Sequence, residues 1–320
     1  MNTKYILIIL GEPYSTFSEI IGKYFVKKKI LKKKIILIGC KSLLQKQLIK
    51  LDYFFNLNEI HKIEEAKSNI VNIIDVKYNY KNIYDTISVK SNGYIKNSFD
   101  ISLKILKKNF NQCVLINGPI SKKTFLKKKY LGITEYLARK TQIKDEVMLI
   151  YNKKLSVSPI TTHIPVKYVT KKISKDKIKK HIIRIDNFFK KILKKKIKIA
   201  VLGLNPHCET IDKFSEEESI IKPSIKYLKA KKINVSGPYS ADTFFLKNNI
   251  EKFDVVVGMY HDQVLTPIKT LFKFEAINLT IGLPFIRISP DHGPNSIMLG
   301  KNKSDPASFL YAMKFIENIK

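Results

Sequence analysis

Lys198-Ile199-Ala200-Val201-Leu202-Gly203-Leu204-Asn205-Pro206-His207 is a short apolar run that breaks into turn residues and ends on a histidine. Just before it, residues 174–193 place Ile178, Ile182, Ile185, Phe189 and Ile192 at three- and four-residue steps. That spacing lays a single apolar stripe along a helix, with Ser174 positioned to cap its start. The apolar run itself is too short for a helix and reads as a strand covered on both faces. Helix, strand and turn therefore follow one another, and the histidine stands where the strand ends.

The same alternation extends in both directions. Candidate buried strands fall at 5–10, 34–38, 71–76, 112–116, 146–151, 198–202, 253–257 and 276–280, and further helical patterns at 216–231 and 305–319. Strands alternating with helices imply a mostly parallel α/β sheet covered by helices. The chain has no internal repeat. Six of its twelve glycines lie between Gly203 and Gly300, beside strand ends or turns. Residues 281–294, with Gly282, Pro284, Pro290, Gly293 and Pro294, read as irregular structure that lines a site. No GxGxxG follows the first strand, where Gly11-Glu12-Pro13-Tyr14-Ser15 stands instead. This argues against a Rossmann nucleotide fold, although not against a nicotinamide cofactor bound in another way.

The 320 residues suffice for two lobes. Hydrophobic residues at 44% and charged residues at 27% are ordinary for a globular protein. The net charge of +32 invites a nucleic-acid or acidic-membrane reading. Only three of the 59 basic residues are arginine, however, and nucleic-acid readers depend on arginine's planar fork. Lysine spread through the whole chain, beside abundant isoleucine and asparagine, fits an AT-rich coding bias, and the field it creates would still attract acidic metabolites. Three scattered cysteines make no disulfide framework and suggest a reducing compartment. The apolar run at 5–10 is too short for a signal-peptide core, and no segment approaches the roughly 20 apolar residues of a membrane helix. A soluble, cytoplasmic protein is expected.

Three of the six histidines, His163, His207 and His261, each follow a strongly apolar run and sit among small or polar residues. At the carboxyl ends of buried strands they would face the crevice where open α/β sheets bind ligands. Three neutral imidazoles there suit a divalent metal with an open position for substrate. The same spacing also fits three unrelated histidines bonded to nearby backbone. Cys208, beside His207, is either a further ligand or a small buried thiol. Arg287 stands out in a chain that otherwise uses lysine, and its fork suits a bidentate grip on phosphate or carboxylate, with a structural ion pair as the alternative. His61 and His181 lie in polar surroundings and read as surface residues.

At these segments the chain resembles the 4-phosphohydroxy-threonine dehydrogenase family. The matching strings are Asn117-Gly118-Pro119-Ile120-Ser121-Lys122, Thr134-Glu135-Tyr136-Leu137-Ala138, Thr161-Thr162-His163-Ile164-Pro165, Leu202-Gly203-Leu204-Asn205-Pro206-His207, Gly237-Pro238 with Ala241-Asp242-Thr243, Met259-Tyr260-His261-Asp262-Gln263, Gly282-Leu283-Pro284-Phe285-Ile286-Arg287 and Asp291-His292-Gly293. The resemblance implies two α/β/α lobes with a cleft between them, similar to isocitrate and isopropylmalate dehydrogenases. The expected division is 1–125 plus 290–320 for the first lobe and 126–289 for the second, which carries the metal ligands and the dimer interface. It implies a homodimer whose metal site is shared between subunits, with His163, His207 and His261 as ligands. Thr134, Lys269, Asn278 and Arg287 fall on substrate-binding positions.

The implied chemistry is oxidation of a secondary alcohol by hydride transfer to NAD or NADP, followed by loss of carbon dioxide, within pyridoxal phosphate biosynthesis. One divalent metal, zinc first and magnesium, cobalt or manganese as alternatives, stabilises the alkoxide and then the enolate. Lys269 is the candidate for stabilising phosphate or relaying a proton. Asp242 and Asp262 are candidate extra ligands or partners that fix imidazole tautomers, with a helix-capping or structural role as the equal alternative for each. His292 and Gly293 resemble the loop that meets the cofactor's adenosine in related decarboxylating dehydrogenases. The chain departs from the family pattern at Ile133, where histidine is usual, at Cys208-Glu209-Thr210-Ile211-Asp212 in place of a glycine-rich segment, at Gly11-Glu12-Pro13-Tyr14-Ser15 and at Val264. These changes spare the three histidines and leave two rivals open. One is a dehydrogenase of another phosphorylated hydroxy acid, such as a phosphorylated threonate or erythronate. The other is a lysine-rich nucleic-acid-binding protein on an inactive enzyme fold.

Overall fold

The stripe at Ile178, Ile182, Ile185 and Phe189 is one fully buried face of a helix spanning Lys175–Lys191. Ser174 caps it, its Oγ accepting from the Lys177 N–H at 3.2 Å. Each of these side chains contributes roughly 1.5–3 kcal/mol by leaving water, so the four together outweigh the cap. The structure, a computed structural model, describes residues 3–27, 33–126, 130, 132–209, 214–273, 275–290 and 293–319.

Twelve strands follow in chain order: β1 Tyr5–Ile9, β2 Lys34–Gly39, β3 Leu57–Glu59, β4 Val71–Asp75, β5 Cys113–Asn117, β6 Val147–Tyr151, β7 Ser156–Thr161, β8 Ile199–Leu202, β9 Val235–Tyr239, β10 Val255–Tyr260, β11 Ile277–Ile281 and β12 Ile286–Ser289. The chain divides into two compact units, Met1–Thr141 with Pro284–Lys320, and Gln142–Leu283. The junctions fall at 141/142 and 283/284, where the sequence division has 125/126 and 289/290, so Thr134 and Arg287 belong to the first unit.

In the first unit the order is β3-β4-β2-β1-β5-β12, and every recorded pair is parallel. In the second it is β11-β6-β7-β10-β8-β9, with the pairs β11–β6 and β6–β7 antiparallel and the pairs β7–β10, β10–β8 and β8–β9 parallel. Both are α/β sheets. The second unit's core packs Val157, Ala200, Leu202 and Val256 of the sheet against Val264 and Ile268 of the helix His261–Phe272.

Four strands escape the sequence pattern. β3 is only three residues long; β7 and β9 carry Pro159 and Gly237-Pro238, which normally speak against a strand. β12 corrects the reading of 281–294 as irregular throughout. Ile286, Arg287 and Ile288 pair with Val114, Leu115 and Ile116, so the glycines and prolines on either side conceal a buried strand. His181 is a second correction: it is buried, not on the surface. Ser158 Oγ gives its proton to the Met148 carbonyl at 2.6 Å, so it accepts from His181 Nε2 at 2.7 Å. Burial in the core pushes the His181 pKa down to about 3. His61 is exposed, as its surroundings suggested.

Candidate active site

β7, β10 and β8 lie side by side and parallel, so their carboxyl ends open at one edge of the second unit. Each strand runs into a histidine: β7 into His163, β10 directly into His261, and β8 into the turn bearing His207. The rings of His163 and His261 lie 5.6 Å apart between centroids, at 43°. Their strand ends are joined where Thr161 Oγ1 donates to the Met259 carbonyl at 2.7 Å. His261 Nδ1 meets Asp262 Oδ1 at 2.7 Å. With Nδ1–H donated to that carboxylate, Nε2 carries the lone pair an ion would use.

His207 sits in a tight turn with left-handed backbone, φ 55° and ψ 13°. Its Nδ1 is 3.7 Å from Asp242 Oδ2, too far for a hydrogen bond. Asp242 itself accepts from Ser240 Oγ at 2.5 Å, and that bond holds its carboxyl below the usual range. The turn is held from several sides. Gly203 N donates to the Tyr239 carbonyl at 2.9 Å, and Gln263 Nε2 donates to the Gly203 carbonyl at 2.7 Å. Gln263 Oε1 also accepts from Met259 N at 2.6 Å, so one side chain ties β10 to the His207 turn. Glu217 Oε1 accepts from Leu204 N at 2.7 Å and Asn205 N at 2.9 Å, and its Oε2 accepts from Asn205 Nδ2 at 2.8 Å. Burial alone would push the Glu217 carboxyl up; the bonds from Asn205 and Leu204 outweigh it and hold the group low. Cys208 is half-buried, and its Sγ occupies the space a Cβ on Gly203 would need, at 2.6 Å.

Imidazole nitrogens suit zinc and related ions, and two of the three stand together. Among the described residues, however, no three His, Cys, Asp or Glu side chains of this chain form a group that could hold a metal. The structure pairs His163 with His261 and does not add His207 as a third ligand. Lys269 lies on the helix His261–Phe272, and burial lowers its ammonium pKa. Asn278 lies on β11, and its buried Oδ1 has no hydrogen-bond partner among the described residues.

In the first unit, Arg287 on β12 is 3% exposed. Its Nε donates to Asn117 Oδ1 at 2.8 Å, and Nη1 to Thr134 Oγ1 at 3.1 Å. Burial lowers its pKa to about 10 while the Glu135 carboxylate opposes the shift, so it stays charged at neutral pH. Thr134 is in the first turn of the helix Ile133–Lys140, and Asn117 closes β5. Glu12, just past β1, is also buried; its Oε1 accepts from Ser91 Oγ at 2.7 Å, and burial raises its pKa. Gly293 is described, with open space where a Cβ would point, whereas His292 and residues 210–212 lie outside the described residues.

Glu217, Gln263 and Asn117 carry no distinguishing signal in the sequence. Gln263 and Asn117 lie inside matched strings beside more conspicuous residues. Glu217, in Glu216-Glu217-Glu218, looks like part of a solvated helix face but is fully buried.

A family model described as pyridoxal phosphate biosynthetic protein PdxA matches residues 31–316. The chain belongs to that family. It is 38% identical over 314 residues to 4-hydroxythreonine-4-phosphate dehydrogenase of Sulfurihydrogenibium sp., covering 96% of this chain and 95% of the relative. It is also 30% identical over 324 residues to D-threonate 4-phosphate dehydrogenase of Pectobacterium atrosepticum, covering 98% of each. The crystal structure of 4-hydroxythreonine-4-phosphate dehydrogenase from Klebsiella pneumoniae is similar with a TM-score of 0.85 at 27% identity, over 98% of this chain and 99% of that one. Isocitrate dehydrogenase from Methylococcus capsulatus shares the fold, with a TM-score of 0.51 at 10% identity over 99% of this chain and 84% of that one. PdxA membership makes the protein an oxidoreductase of pyridoxal phosphate biosynthesis. No helix among the described residues is long and apolar enough to cross a membrane.

Proposed function

We propose that this protein oxidises the secondary alcohol of 4-phosphohydroxy-L-threonine and decarboxylates the product to 3-amino-2-oxopropyl phosphate. The carbinol hydride passes to NAD or NADP and the hydroxyl proton to a base. The β-keto acid then loses carbon dioxide, and the enol carbon takes up a proton. The observation that carries this reading is the His163–His261 pair at adjacent parallel strand ends, in a chain of this family.

A homodimer fits that pair: His163 and His261 of one protomer, with the partner subunit's His207, would make a three-imidazole set for one divalent ion, zinc first. When bound, such an ion supplies Lewis acidity to the alcohol oxygen and the enolate. Asp262 holds the His261 ring, and Asp242 faces His207. Asn278, whose buried Oδ1 has no hydrogen-bond partner among the described residues, is suited to receive a substrate hydrogen bond. Lys269, its ammonium destabilised by burial, is suited to relay a proton or meet phosphate. Arg287, steadied by Asn117 and Thr134, meets the substrate's anionic end, and Gly293 with His292 meets the cofactor's adenosine. The enzyme would work in the cytoplasm on a small phosphorylated substrate, and neither nucleic acid nor membrane has a part in this reading.

A second reading, oxidation of D-threonate 4-phosphate, is favoured by the relatives of that name, and Ile133, at a position where the family usually has histidine, leaves the choice of substrate open. Metal-supplemented protein given 4-phosphohydroxy-L-threonine should release reduced cofactor and carbon dioxide in equal amounts. Without reduced cofactor the proposal fails, and without carbon dioxide its second half fails.

A further inference from the structure

The turn that carries His207 is bonded to a carboxylate from the π-helical segment that opens at Glu217. Glu217 is fully buried, yet all three of its described hydrogen bonds to this turn are accepted from Leu204 and Asn205. Those two N–H groups follow Gly203, where β8 has ended and no sheet neighbour receives them. Left unpaired away from water, each would carry the desolvation penalty of a lost hydrogen bond. The left-handed backbone at His207 and Cys208 is strained for residues other than glycine and persists only where its surroundings enforce it. Glu217 also opens a π-helical segment, Glu217–Ile221, ahead of the helix Lys222–Ala230. Such wide turns recur at functional sites. Asn205 Nδ2 is shared with Glu216 Oε2 at 2.9 Å, so the side chain of the turn is anchored as well as its backbone.

We propose that Glu217 is the positioning residue for His207, fixing the turn so that the imidazole is presented off the end of β8. This rests on the reading of His207 as a metal ligand. A neutral amide in place of the carboxylate keeps the shape, but it sets an NH2 group against Asn205 Nδ2 and removes the charge that two backbone N–H groups share.

The test compares full-length wild type, Glu217→Gln and His207→Ala. Amide exchange over residues 203–209 should become faster in Glu217→Gln, while the helix Lys222–Ala230 keeps its protection. The zinc or cobalt concentration giving half-maximal activity, and the metal dissociation constant by calorimetry, should rise ten- to a hundredfold. A purely structural role would lower the melting temperature and leave both metal readouts in place. Unchanged exchange at 203–209 overturns the proposal. So does faster exchange with unchanged metal dependence, and His207→Ala then shows which idea failed. If that variant has lost its metal, only the role of Glu217 falls; if it binds metal like wild type, His207 is no ligand. Should Glu217→Gln not fold, Asn205→Leu removes the side-chain bonds and keeps the backbone ones. It should shift metal dependence in the same direction by roughly fivefold, and no shift counts against the proposal.

Discussion

His163 and His261 hold their rings 5.6 Å apart from the ends of neighbouring parallel strands. This follows from topology: β7 and β10 pair in parallel, with Tyr260 in register with Thr161. Neither imidazole belongs to the core, so each can be removed without opening a cavity there. His163→Ala and His261→Ala should therefore lower kcat/KM more than ~100-fold and move the melting temperature by only a few degrees. Activity near wild type in either variant removes that histidine from the site.

The same pair sharpens what subunit mixing should show. If His163 and His261 serve one site and His207 comes from the partner, His207→Ala mixed with His261→Ala yields hybrid dimers with one intact site. Mixing His163→Ala with His261→Ala leaves a defect in both sites. Partial recovery is expected in the first mixture and none in the second. Recovery in neither, with exchange shown by mass spectrometry, means that the ligands come from a single chain.

Arg287→Lys keeps the charge and loses the fork. Lysine cannot reproduce both the Nε bond to Asn117 and the Nη1 bond to Thr134. Steady-state kinetics should show kcat/KM reduced by about a hundredfold, and urea unfolding should show a stability loss of about 1–3 kcal/mol. Stability loss with unchanged kinetics would make Arg287 a structural residue.

His181 gives a pH dependence with a definite sign. Its folded pKa, about 3, lies below the ordinary value of 6.5, so between these values the unfolded chain binds the proton and the folded one does not. Stability from this group is therefore complete above pH 6.5 and falls as pH drops towards 3; at pH 5 the loss is about 2 kcal/mol. His181→Gln should flatten the pH dependence of unfolding between pH 4 and 6.5. An unchanged slope shows that His181 titrates normally.

Much of the fold is legible because apolar runs and helical stripes report burial directly. All eight strands read from sequence occur, with no end displaced by more than three residues. β7 and β9 were hidden because Pro159, Ser158 and Gly237-Pro238 resemble turn chemistry; their tertiary partners override that local preference. His181 was misread for a similar reason, since the lysines beside it on the helix conceal its inward direction. The histidines, Arg287 and Asn278 were legible as unusual residues at strand ends or through the family resemblance. Glu217 was not, because a buried carboxylate and a solvated one look alike until the N–H groups it serves are placed.

Substrate choice is tested most directly by kcat/KM for 4-phosphohydroxy-L-threonine and D-threonate 4-phosphate, measured side by side with NAD and NADP in the presence of zinc, cobalt, manganese or magnesium. Metal-dependent reduction of cofactor, at least tenfold more efficient with 4-phosphohydroxy-L-threonine, is the expected result. Preference for D-threonate 4-phosphate contradicts the assigned substrate, and no cofactor reduction with either contradicts the assigned chemistry.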